Sequence, residues 1–194
     1  MTPDGRRQAI IDATLPLLLT KGPELSTREI AQAAGVAEGT IFRAFETKSD
    51  IIHATIHAAL EPTTALDALS TLPPEQSLEQ RVIAILAVLV EEITRTRTLF
   101  THLAGAGFGP RQPHPPTTGK GQPGPHDGRI RMVGSTAAAL APYASQLGVE
   151  VSTAARLLNA LAFAASFGAA EDTNPTSPTT MAKVVLYGIA EGEK

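Results

Sequence analysis

Between Thr27 and Asp50 the chain reads TREIAQAAGVAEGTIFRAFETKSD, with apolar residues at helical spacing in two short runs and a glycine between them. On a helical wheel Ile30, Ala31 and Ala34 share one side, while Arg28 and Gln32 turn away from it. Gly35 stands where a sharply turning helix needs a left-handed residue at no steric cost. A second helix from Glu38 to Phe45 would bury Ile41, Ala44 and Phe45. Its other face would carry Gly39 and Arg43, flanked by Thr40 and Phe42. Ala31 is small where the two helices cross, so their backbones can approach closely. This pattern predicts a helix-turn-helix, whose second helix lies in the major groove of DNA.

The flanking sequence reads as helix throughout. Ile10, Ile11, Thr14, Leu15, Leu18 and Leu19 predict a first helix over about 3–21, kinked at Pro16 and stopped by Lys21-Gly22-Pro23. Ser26 and Glu29 form a capping-box pair ahead of the second helix. Further helices are expected over about 49–60, 77–103, 130–147 (bent at Pro142), 152–170 and 179–190. Pro62 and Pro73-Pro74 are expected breaks. Residues 105–129 hold seven Gly and six Pro, too little apolar surface for a core, and predict a surface loop. No strand pattern or internal repeat is present. The expected fold is all-α, with a three-helix helix-turn-helix head over 1–48 and a helical bundle over 49–194.

Composition narrows the chemistry. With 43% hydrophobic residues but only 4% aromatic, the core must be built from Ala, Leu, Ile and Val. The absence of Cys excludes disulfides and thiolate metal sites. No apolar run approaches the roughly 18 residues of a membrane span, and no signal-peptide pattern opens the chain, so a cytoplasmic protein with no membrane partner is expected. His53 and His57 have metal-compatible spacing but no third ligand. No nucleophile–base arrangement or phosphate-cradling glycine loop is present. Neither a metal, a cofactor nor an enzymatic activity is expected.

The run Ile30-Ala31-x-x-Ala34-Gly35-Val36-x-x-Gly39-Thr40-Ile41-Phe42-x-x-Phe45-x-x-Lys48 resembles the tetracycline-repressor (TetR) family of transcriptional regulators. Ile11-x-Ala13-x-x-x-x-Leu18-x-x-x-Gly22 is similar to that family's first helix. The resemblance implies DNA-contact roles for Thr27, Arg28, Glu38, Gly39, Thr40, Phe42, Arg43 and Lys48. Arg28 and Arg43 would reach phosphates or guanine edges. Thr40 would meet a base, Gly39 would admit close backbone approach, and Lys48 would neutralise a phosphate at a helix N-terminus.

Three positions depart from the family pattern: Phe42 where Tyr is common, Ala37 where a capping Ser or Thr is usual, and Glu38 where Lys is frequent. Glu38 would oppose the DNA backbone unless it accepts from cytosine. Six basic and seven acidic side chains within residues 1–50 imply few phosphate contacts and a shallow salt dependence.

Residues 152–170 hold eight Ala and are apolar nearly all round, so they need partners on more than one side. Paired with 179–190, they are expected to form a four-helix homodimer interface, as the resemblance also implies. Two heads would then read the half-sites of a palindromic double-stranded operator about 34–36 Å apart. The family further implies an apolar pocket for a small-molecule effector. Leu89, Ile93, Phe100, Leu103, Phe163 and Phe167 are candidate walls, with His102 or Asn159 as polar anchors. An alternative reading is a dimeric small-molecule-binding protein whose head has weak or lost DNA binding.

Overall fold

The computed structural model describes residues 2–108, 125–168 and 176–188. Among these the chain is all-helical: α1 (Pro3–Lys21), α2 (Thr27–Ala33), α3 (Glu38–Ala44), α4 (Lys48–Leu60), α5 (Thr63–Ser70), α6 (Leu78–Gly105), α7 (Pro125–Leu140), α8 (Val151–Gly168) and α9 (Pro178–Tyr187). Short 3-10 turns follow α1 and α7.

The chain divides into two compact units, Met1–Glu61 with Arg97–Pro125, and Pro62–Thr96 with His126–Lys194. Thus α4 groups with the three helices before it, past the boundary expected after residue 48. The reason is its apolar face: Ile51, Ile52 and Ala54 are buried in the same core as Ile10 and Leu18 of α1. Ile30 and Ile41 meet there at 0% exposure, and each such burial stabilises by about 2–3 kcal/mol. Leu103, from the C-terminal end of α6, is buried in this core as well.

Local chemistry sets the helix ends. Ser26 and Glu29 close the capping box at α2, as the sequence predicts. Thr47 and Asp50 form a second one, so α4 begins at Lys48 and not at Ser49. Helix α1 runs unbroken through Pro16. Between Pro62 and Pro73 lies a helix missing from the sequence reading: Thr63–Ser70 is short, but Ala65 and Leu69 bury one turn apart. α7 starts at Pro125, inside the expected loop, since proline suits a first helical turn. The rest of that loop, 109–124, lies outside the described residues. The bend expected at Pro142 is a change of helix type, α7 giving way to a 3-10 turn over Ala141–Gln146.

The second unit's core combines Leu69 of α5, Ile85 and Leu86 of α6, Leu140 of α7, Leu158 of α8 and Met181 of α9. A polar tie secures one edge of it. Arg81, only 4% exposed, donates from Nη2 to the Pro73 carbonyl oxygen at 2.6 Å and lies over the Tyr143 ring. The Tyr143 hydroxyl donates to the Gln76 carbonyl oxygen at 2.6 Å.

Candidate nucleic-acid interface

The corner between α2 and α3 is closed by backbone bonds. Val36 N–H donates to the Ala31 carbonyl at 3.0 Å and Gly35 N–H to the Gln32 carbonyl at 3.2 Å, a Schellman arrangement. Gly35 has φ 65, so this turn uses the freedom that only glycine has without strain. Helix α3 then starts at Glu38, and its N-cap residue, Ala37, makes no side-chain cap bond. The N-terminus of α3 is held instead by a contact between helices. Thr27 Oγ1 donates to Glu38 Oε1 at 2.8 Å.

At the other end of α3, Arg7 reaches from α1. Its Nη1 donates to the Ala44 carbonyl oxygen at 2.8 Å, and its guanidinium carbon lies 4.0 Å from the Phe45 ring centroid. A cation at a helix C-terminus is favourable both as a donor to an orphan carbonyl and against the helix dipole. Sequence reasoning missed Arg7. The available signal was a basic residue on the face of α1 adjoining Ile10 and Ile11, but its partner is 37 positions away.

Between these ties, the outward face of α3 is open. Gly39 has no atom within 4 Å of where a Cβ would stand, Phe42 is 54% exposed, Thr40 is half-buried and Arg43 is exposed. Arg28 is exposed on α2. Neither arginine has a hydrogen bond or acidic partner among the described residues. Lys48 is exposed too, and its Nζ donates to the Pro23 carbonyl oxygen at 3.1 Å, which leaves two protons for an anion. Lys21 differs, because it is paired with Glu29. That pairing, with hydrogen bonds from the Ser26 backbone and hydroxyl, lowers the Glu29 carboxyl to about 2.

The eight DNA-contact candidates thus all lie on α2, α3 or the first turn of α4, within one unit. Thr27 is the one whose chemistry changes. A hydroxyl has one proton, and Thr27 gives it to Glu38, so this side chain is not a free donor to phosphate.

The effector-pocket candidates do not gather in the same way. Leu89 and Ile93 belong to the second unit's core, whereas Leu103 belongs to the first unit's. Phe100 and Phe163 are 53% and 56% exposed, and His102 is exposed. The Asn159 amide donates to Thr136 Oγ1 at 3.1 Å and to the Ala155 carbonyl at 2.9 Å, so both its protons are used internally. The Phe167 side chain lies outside the described residues. Within either unit, the described members of this set do not by themselves enclose an apolar lining. Their helical spacing reflects core packing in two separate units and two exposed aromatic rings. Among the described residues no group of three or more His, Asp or Glu is arranged to hold a metal ion, and no helix is long and apolar enough to cross a membrane.

An all-helical chain whose N-terminal unit presents a capped helix-turn-helix, with unpaired arginines on both of its helices, is a protein of the helix-turn-helix class. The family profile of bacterial regulatory proteins, tetR family, matches residues 10–55, which span α1 to α4. The N-terminal unit thus resembles the DNA-binding region of tetR-family regulatory proteins, over about a quarter of the chain. The chain is 35% identical over 81 residues to the uncharacterized HTH-type transcriptional regulator TtgW of Pseudomonas putida, covering 41% of this chain and 60% of that protein. It is 32% identical over 91 residues to the HTH-type transcriptional repressor KstR of Rhodococcus jostii, covering 46% and 42%. The matched stretch thus spans less than two thirds of either relative. Among solved structures, Salmonella enterica GusR shares the fold at TM-score 0.56 and 19% identity, over 97% of this chain and 96% of that one.

Proposed function

We propose that the chain is a transcriptional repressor that holds a palindromic double-stranded operator as a homodimer and releases it on binding a small-molecule effector. The observation that carries the DNA-binding part is the open face of α3. Arg43 and Arg28 are exposed cations with no internal acid to neutralise them, beside a glycine with nothing over it. Helix α3 would enter the major groove, with Lys48 on a flanking phosphate. Repression is drawn from KstR, named a repressor.

Dimerisation is supported by the apolar residues left outside on two adjacent stretches of sequence. Leu157 and Phe163 of α8 are 55% and 56% exposed, and Val185 and Tyr187 of α9 are 43% and 68% exposed. Exposed apolar patches of this kind mark contact surfaces, and a two-fold pairing of α8 with α9 would bury both sets. Effector release is then a shift between two populations that differ in head spacing.

The second reading, a dimeric small-molecule-binding protein with weak DNA affinity, draws on the engaged cations of the head. Lys21 is paired with Glu29, and Arg7 is spent on Ala44.

The test is selection of random duplexes by the purified protein at low salt. Recovery of one palindromic site, lost in Arg43→Ala, supports the repressor reading. Weak retention without sequence preference, equal in both proteins, would favour the second.

A further inference from the structure

We propose that Glu38, held by Thr27, makes cytosine a required base in each half-site of the operator; this rests on the DNA-binding role proposed above. Glu38 is the first residue of α3, the part of a recognition helix that comes closest to base edges. Its carboxylate is exposed on this otherwise open face, and Oε1 already accepts the Thr27 hydroxyl proton at 2.8 Å. The second oxygen, Oε2, has no partner among the described residues. The side chain is thus tethered at one oxygen and offers the other outward as a pure acceptor.

Three consequences follow from that tether. The carboxylate cannot swing freely into solvent when DNA approaches without breaking its bond to Thr27. It repels phosphate, so DNA is admitted only where a base supplies a donor to Oε2. In the major groove the donors are the amino groups of cytosine and adenine, and adenine sets its N7 acceptor beside its own, which opposes a carboxylate. Cytosine N4 has no such acceptor on the same ring edge, so it is the base an anionic acceptor selects. Thr27 is then a positioning residue: its proton orients Glu38 and is not available to a phosphate.

The test is the same duplex selection carried out on wild type, Glu38→Gln and Thr27→Val, with binding curves for the selected site and its single-base variants. Thermal melts check that each variant folds, as expected for exposed or half-buried side chains. Wild type should select a site with one cytosine per half-site whose replacement weakens binding by about fivefold or more. Glu38→Gln, whose amide both donates and accepts, should lose that preference while the other selected positions stay the same. Thr27→Val should blunt the preference without abolishing binding.

An unchanged consensus in Glu38→Gln would overturn the inference and leave the DNA-binding reading intact. So would a uniform gain in affinity for every duplex, which would make Glu38 a general brake. If wild type enriches no sequence at all, both the inference and the reading beneath it fall.

Discussion

Arg7 Nη1 donates to the carbonyl oxygen of Ala44 at 2.8 Å, so the first helix of the chain holds the last residue of the helix proposed to read DNA. The bond is charge-assisted, and the same guanidinium stacks on Phe45. Together these contacts stabilise the head by about 2 kcal/mol, allowing for the partial exposure of Arg7. Arg7→Ala should lower the denaturation midpoint accordingly. It should also weaken operator binding, although Arg7 is not proposed to touch DNA. Arg7→Lys, which has no planar fork, should restore only part of the stability.

Two glycines in the same unit should respond in opposite ways to alanine. Gly22 has φ 62 and ψ −149, a region reserved for glycine, and a Cβ there would stand 1.9 Å from the Ala106 carbonyl oxygen. Gly22→Ala should cost about 3 kcal/mol or more in chemical denaturation, since both strain and displaced backbone contribute. Gly39 lies within α3 with open space around it. Gly39→Ala should leave stability unchanged or raise it by about 0.5–1 kcal/mol while weakening DNA retention.

Acid should loosen the link between α1 and α2. The folded Glu29 carboxyl is lowered to about 2 from 4.5, first by the Lys21 hydrogen bond and then by Ser26. A group depressed in this way stabilises the fold above its unfolded value, and the contribution is lost as pH falls from about 4.5 towards 2. Carbon-detected NMR titration should show Glu29 titrating well below the usual glutamate range. In Lys21→Met its value should rise. The pH dependence of stability between 4.5 and 2 should be shallower in Glu29→Gln.

The tie at Arg81 should behave as a unit. Breaking it leaves the Pro73 carbonyl without its donor and removes the cation from Tyr143. Arg81→Ala should destabilise by about 3 kcal/mol, within the range for losing a buried, hydrogen-bonded charge. Tyr143→Phe should cost about 1 kcal/mol for the lost bond to Gln76. A double-mutant cycle should show coupling, because the two side chains are in contact.

If α8 and α9 form the homodimer contact, charges placed on their exposed apolar residues should separate the protomers without unfolding them. Leu157→Asp with Val185→Asp should sediment as a monomer and keep its helical circular dichroism. Operator affinity should fall steeply in the same variant, because one head cannot hold two half-sites. A variant that stays dimeric would place the interface elsewhere.

What residues 26–50 specified, they specified locally. The Ser26–Glu29 box, the left-handed Gly35 and the alternation that buries Ile30 and Ile41 all act within a few positions of one another. Such patterns are legible because a helix repeats about every 3.6 residues and its caps involve neighbouring backbone groups. The same logic reached the all-α class and the apolar surplus on α8, where Ala155 and Leu158 are buried while Leu157 and Phe163 stay outside.

Tertiary structure decided which distant groups share a proton or a core. Nothing in spacing alone joins Arg7 to Ala44, Lys48 to Pro23 or Thr27 to Glu38, and nothing assigns Leu103 to the core of Ile10 and not to that of Leu89. Periodicity says that a side chain will be buried, not against what. The answer depends on where the chain returns, and hydrogen bonds between remote residues form only after the packing of apolar faces has brought them within about 3 Å. Hence the sequence by itself determined the helix-turn-helix and its outward residues. Folding determined that Thr27 would spend its proton on Glu38, and that Leu89 and Leu103 would be buried in different cores.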